Sequence, residues 1–155
     1  MATIEPAVVR TIVVGVDGSV NSRVAVEWAA RLAAGLRAKV VAVHALGLLE
    51  HLDPGAEPTP SVAHLEQIGE LFSREWCEPL RTLGVEHRRE LRYGPPVQTL
   101  IDAADREEAD LLVVGSRGCG GSSALLLGST SSRLANASTR PVLIVPLPDE
   151  RRTGT

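Results

Sequence analysis

Residues 110–131 read DLLVVGSRGCGGSSALLLGSTS. Asp110–Gly115 reads as a strand, and the unbroken apolar run Leu111–Val114 within it has the pattern of one buried on both faces, as in parallel sheets. Five of the chain's 14 glycines then fall between 115 and 128, and Gly128-Ser129 opens a helix expected from about Leu127 to Ala137. A closing strand comes next at Pro141–Val145. Upstream, Thr11–Val16 (TIVVGV) and Lys39–Ala45 (KVVAVHA) have the same buried-strand character. Val85–Tyr93 is more polar and suits a sheet edge. Helices are expected between these strands, at about 21–36, 61–83 and 95–107. In the first, Val24, Ala25, Trp28, Ala29, Leu32 and Leu36 form an apolar stripe. In the second, Leu65, Ile68, Phe72, Trp76 and Leu80 do so, with Pro79 expected to kink or end it. In the third, Val97, Leu100, Ile101 and Ala104 line the inner face, and Pro95 lies near the first helical position. Leu46–Pro60, with Pro54, Gly55, Pro58 and Pro60, breaks the rhythm as a long irregular loop. The order βαβαβαβαβ with long crossovers means a parallel sheet with helices on both faces.

Composition bounds the possibilities. The chain has 155 residues, 44% hydrophobic and 23% charged, enough for one compact domain. A formal charge of -3 and 3% aromatics argue against nucleic acid, which rewards basic surfaces and stacking side chains. Lys39 is the only lysine, and no Gly-x-x-x-x-Gly-Lys-Ser/Thr can be written around it, so a Walker P-loop is excluded. The N-terminus lacks a basic n-region, and no apolar run is long enough for a bilayer, so a cytoplasmic protein with no membrane contact is expected. Cys77 and Cys119 show no CxxC or zinc spacing, and His44, His51, His64 and His87 make no metal-ligand pattern. His44 reads as a packed strand-end histidine; Trp28 and Trp76, on helical apolar faces, read as core.

An open parallel sheet binds ligands beyond the carboxyl ends of its strands. Two such ends are unusual here: Gly15-Val16-Asp17-Gly18-Ser19 and Gly115-Ser116-Arg117-Gly118. Glycines let an anion approach backbone N–H groups, and the helix opening at Gly128-Ser129 offers free amides and a favourable dipole. Ser129, Thr130 and Ser131 add hydroxyls. Arg117 places a cation beside any phosphate, and it reads equally as a solvated loop arginine. On spacing alone, a surface loop closed by a serine N-cap fits the same residues.

Gly115-x2-Gly118-x9-Gly128-Ser129 resembles the nucleotide-binding signature of the universal stress protein family. IVVGVDGS at Ile12–Ser19, VVAVHA at Val40–Ala45, the stretch Gly94–Gly118, and STRPVLIVP at Ser138–Pro146 are similar to its other segments. The resemblance covers residues 10–146 as one nucleotide-binding domain and leaves 147–155 as a flexible tail. It implies a doubly wound five-stranded parallel sheet of order 3-2-1-4-5. It implies that Asp17 lies by the ribose and phosphates and helps hold a divalent cation; the same aspartate also reads as a turn or capping residue. It implies that the backbone of Ala45 meets the adenine, and that Gly115, Gly118, Gly128 and Ser129 meet phosphate and ribose. The expected ligand is ATP with Mg²⁺. Cyclic AMP is the alternative, since some members of the family bind it. No residue is clearly placed to activate water, so a stress-response regulator that binds rather than hydrolyses is expected, a slow ATPase being the other possibility. The resemblance also implies a homodimer paired through the Val142–Val145 edge strand.

Overall fold

A computed structural model of the chain describes residues 3–46, 61–117 and 127–148. Five strands, β1 (Thr11–Gly15), β2 (Lys39–Leu46), β3 (His87–Tyr93), β4 (Leu111–Gly115) and β5 (Val142–Val145), form one sheet of order 3-2-1-4-5. Every neighbouring pair is parallel. This is the doubly wound sheet expected from the alternation of elements. The central strands are the most apolar: Ile12, Val13, Val14, Leu112 and Val113 are fully buried. The Asp110 carboxylate fixes the start of the β1–β4 pair by accepting from the N–H groups of Arg10 (2.8 Å) and Thr11 (3.0 Å).

Helix α1 (Val20–Leu36) covers one face together with a π-helical turn (Phe72–Trp76), which continues α2 (Val62–Leu71), and α3 (Glu78–Thr82). Helices α4 (Pro96–Arg106) and α5 (Ser129–Ala137) cover the other. The stripe expected on α1 is rotated. Ala25, Val26, Ala29, Ala30 and Ala33 are buried, whereas Trp28 is 44% exposed and Leu36 50% exposed. Small side chains let the helix axis come close to the sheet, so the alanine face wins over the face with the larger residues. Trp28 is therefore a surface residue with Arg31 over its ring at 5.7 Å, not a core residue.

The single helix expected over 61–83 is three pieces. Proline at 79 has no N–H to give and its ring collides with the carbonyl four residues back. The chain responds by widening into the π turn and restarting at Glu78, with Pro79 in the first turn of α3. The guanidinium of Arg81 donates to the carbonyls of Ser73 and Arg74 and so supports the widened turn. Phe72 and Leu80 are buried as expected, but α2 buries no residue fully. Cys77 is buried; burial pushes its thiol up to about 11, with Arg89 and Arg81 pulling the other way. It is therefore an unreactive core thiol.

The two edges differ in chemistry. β3 carries Arg88, Arg89 and Arg92, and its Glu90 accepts from Arg88 (2.7 Å), Arg92 (3.3 Å) and Arg106 of α4. Burial alone would push the Glu90 carboxyl up. The Arg88 hydrogen bond and the charges of Arg106 and Arg92 outweigh that and hold it below its ordinary value. A carboxyl held low stabilises the fold above its unfolded pKa, and that contribution is lost as pH falls through the lower folded value. Glu90→Gln should therefore cost about 1 kcal/mol at neutral pH. Urea melts should show the gap closing as the pH falls below about 4. A constant gap would contradict the ion-pair account.

Candidate functional site

β1 lies between β2 and β4, and the chain leaves β1 into α1 on one face and β4 toward α5 on the other. The carboxyl ends of these strands therefore bound the crevice at which an open parallel sheet offers a ligand site. Three groups of residues meet at this end of the sheet.

The first is the turn after β1. Asp17 Oδ1 accepts from the N–H of Ser19 (2.9 Å) and from its hydroxyl. Ser19 Oγ accepts from the N–H of Ser22 (3.2 Å) as the N-cap of α1. Ser22 Oγ accepts from the N–H of Asp17 (3.3 Å) and donates to the Ser19 carbonyl (3.1 Å). The turn role of Asp17 is thus visible directly. Between Asp17 and Ser19, Gly18 adopts φ +81°, where side chains are strained, and a Cβ there would lie 2.6 Å from the indole of Trp76.

The second group is the end of β2. The imidazole N–H at Nδ1 of His44 donates to the Val16 carbonyl (2.6 Å), and the Val16 N–H donates to the Val43 carbonyl (2.9 Å). His44 is indeed a packed strand-end histidine. Ala45 comes next, half-buried, in register with Arg92.

The third group lies after β4. Gly115 has no room for a side chain: a Cβ would stand 2.7 Å from the Asn21 carbonyl oxygen. The first turn of α1 therefore passes directly over the end of β4. The Ser116 carbonyl accepts from the Gly128 N–H (2.6 Å) and from the buried hydroxyl of Ser131 (2.9 Å). These two bonds seat the start of α5 beside β4. Gly128 is the N-cap with φ -72° and ψ 169°, and no side chain caps the helix among the described residues. A bare first turn leaves amides to be satisfied by water or an anion. Ser129 is exposed and Thr130 half-buried there, whereas Ser131 is committed to Ser116. Arg117 is half-buried just beyond β4. Gly118 and Cys119 lie outside the described residues, as do residues 47–60 and the tail from 149.

The structure thus brings Asp17, Ala45, Gly115, Arg117 and Gly128–Ser131 to one end of the sheet. Sequence reasoning placed Gly18 and Ser116 in the two unusual strand ends without a role of their own, missed Asn21, and read Trp76 as core only. An open groove of about 520 Å³ lined by Gly69, Phe72, His87, Arg88, Arg89 and Leu91 runs along the β3 edge and shares none of these site residues. Among the described residues, no cluster of three or more His, Cys, Asp or Glu could hold a metal by itself, and no helix is long and apolar enough to cross a membrane.

Residues 9–146 match the profile described as Universal stress protein family. Universal stress protein Rv1636 of Mycobacterium tuberculosis is 36% identical over 143 residues, covering 88% of this chain and 95% of that protein. A universal stress protein of Mycolicibacterium smegmatis is 32% identical over 140 residues, covering 86% of this chain. The chain spans 47% of the length of that relative. A crystal structure of a universal stress protein in complex with cAMP superposes with a TM-score of 0.69 at 32% identity, covering 90% of this chain and 98% of that one. UspA from Lactobacillus plantarum, at 23% identity and a TM-score of 0.74, shares the fold over 90% of this chain and 99% of its own.

Proposed function

Because the chain belongs to the universal stress protein family, we propose that it is a stress-response regulator that binds an adenine nucleotide, ATP with Mg²⁺, with little or no hydrolysis. The observation that carries this is the first turn of α5, which no side chain caps among the described residues and which the Ser116 carbonyl holds beside β4. The backbone of Ala45 meets the adenine, and the Asp17 turn lies by the ribose and phosphates. The amides of Gly118 and Ser129–Ser131 take the phosphates next to Gly128, whose own N–H is committed to the Ser116 carbonyl, with Arg117 and the hydroxyls of Ser129 and Thr130 beside them. Mg²⁺ requires oxygen donors and keeps several waters, so Asp17 plus phosphate oxygens is a donor set it accepts. Bound there, it would neutralise phosphate charge. Asp17 accepts from Ser19 and His44 is tied to Val16, so neither is poised to activate an attacking water. The protein acts, on this proposal, in the cytoplasm and independently of nucleic acid and membrane.

Cyclic AMP is the second ligand to weigh, because the 32% identical structure is a cAMP complex. Competition calorimetry decides between them. ATP displacing cyclic AMP at lower concentration supports the first proposal, the reverse order supports the second, and no heat from either rejects both.

We further propose a two-fold dimer paired through β5. The β3 edge is arginine-rich and resists pairing, whereas β5 is VLIV. The carbonyls of Pro141 and Val145 accept from the N–H groups of Leu112 in β4 and of Ser116 just after it, so Val142 and Ile144 direct their backbone polar groups outward. Ile144→Pro removes one outward donor without touching the β4 ladder. Sedimentation at micromolar concentration should show a dimer for the natural chain and a monomer for this variant. A monomeric natural chain would reject the dimer.

A further inference from the structure

We infer that Trp76 is a positioning residue of the nucleotide site: its indole, seated on Gly18 and against His44, clamps the Asp17–Ser19 turn and the end of β2 in one arrangement. This rests on the adenine-nucleotide proposal for its functional meaning and on geometry alone for the clamp.

Three observations converge. Gly18 lacks the one atom that would collide with the indole, since a Cβ there would lie 2.6 Å from Cζ2 and 2.9 Å from Cε2. The ring also stands edge-on to His44, with centroids 5.1 Å apart and planes at 64°. His44 in turn holds the Val16 carbonyl, one residue before Asp17. One side chain therefore touches both sides of the turn: directly at Gly18, and through His44 at Val16. Finally, Trp76 closes the π-helical turn. A π turn adds one residue to the helical cycle and so rotates the later side chains relative to the α2 ladder. Phe72, at the start of the turn, is buried and packs against the indole at 5.7 Å, while Arg81 braces the carbonyls between them. A purely structural tryptophan needs none of this contact with a glycine at φ +81° in the loop that carries Asp17.

The consequence is that the Asp17 carboxylate and the Ala45 backbone are held in a fixed relation before any ligand arrives. Pre-positioning of this kind raises affinity by removing the ordering cost of binding.

The test uses the full chain and compares Trp76→Leu with Trp76→Phe. Without ligand, amide hydrogen exchange at Val16, Asp17 and Ser19 should accelerate at least tenfold in the leucine variant and return close to the natural rate with phenylalanine. Exchange in β4, at Leu112–Val114, should not change. With ligand, calorimetry should show ATP or cyclic AMP bound about tenfold more weakly by the leucine variant, and close to normally by the phenylalanine variant. Unchanged exchange at the turn, or equal acceleration in turn and β4, would overturn the clamp. A local acceleration with unaltered nucleotide affinity would overturn its role in binding. If the natural chain binds neither nucleotide, the nucleotide proposal and Trp76's place in it fail together, while the exchange result still decides whether the clamp exists.

Discussion

Gly128→Val is expected to abolish binding of both ATP and cyclic AMP while leaving the circular dichroism spectrum unchanged. The separation comes from the backbone. Gly128 sits at φ -72° and ψ 169°, extended geometry that valine adopts without strain. Its N–H bond to the Ser116 carbonyl survives the change, because it involves no side chain. The difference lies in access: a branched side chain at the cap stands beside the first amides of α5, where a phosphate must approach to hydrogen-bond distance. Several charge-assisted amide bonds lost together weaken binding by a factor of 100 or more, at roughly 1.5–3 kcal/mol each. Undiminished binding in this variant would remove α5 from the site.

Gly115→Ala is expected to have the largest effect on stability. The added Cβ would stand 2.7 Å from the Asn21 carbonyl oxygen and 2.8 Å from its carbon, both backbone atoms of the first turn of α1. Backbone cannot rotate away as a side-chain tip can, so α1 must lift from the sheet. A cost of about 3 kcal/mol is expected, the upper part of the usual range for overpacking. Thermal melts should then fall by roughly 6–12 °C for a domain of this size. Gly15→Ala provides the control: its Cβ would meet the side chains of Leu100 and Val114 at 3.1–3.3 Å, and such groups can shift. It should cost about 1 kcal/mol. Equal effects at the two glycines would contradict the backbone contact. Gly115 therefore owes its lack of a side chain first to helix packing, and any weakening of nucleotide binding on its substitution would stem from movement of Asn21 and the neighbouring Asp17 turn.

The fold is legible because its strands announce themselves by apolar runs and its edges by polarity. β1 and β4 are β-branched and leucine segments and β2 holds the apolar run Val40–Val43, and a sheet covered on both faces buries such segments. β3, with three arginines, is readable as an edge for the same reason. Which face of α1 turns inward is not, because a stripe weighted by large residues points to Trp28 and Leu36, whereas close packing selects the alanines. The break of the second helix is half-readable: Pro79 signals a disruption, but not that the ladder widens into a π turn before it.

The site divides in the same way. Glycine spacing and the Ser-Thr-Ser start of α5 are local signals, and they point to the helix end that the structure seats beside β4. The contacts that shape the rest join residues far apart in the chain. Gly115 meets Asn21 across 94 positions, and Gly18 meets Trp76 across 58. Nothing in the local pattern around Asn21 or Trp76 points to its glycine partner, so a single sequence offers no pairing to match. Gly118, the second glycine of the signature, lies outside the described residues, and its part in phosphate binding is carried by the proposal alone.

On the proposed function, the amides at the start of α5, which no side chain caps among the described residues, receive the phosphate of a bound adenine nucleotide. Titration of ¹⁵N-labelled protein with ATP and Mg²⁺, monitored by NMR, reads those amides one by one. Saturable shifts are expected, concentrated at the amides of Ser129 and Thr130, with smaller ones at Asp17 and Ala45. Saturable binding that leaves Ser129 and Thr130 unmoved, or no binding at millimolar ATP, would contradict it.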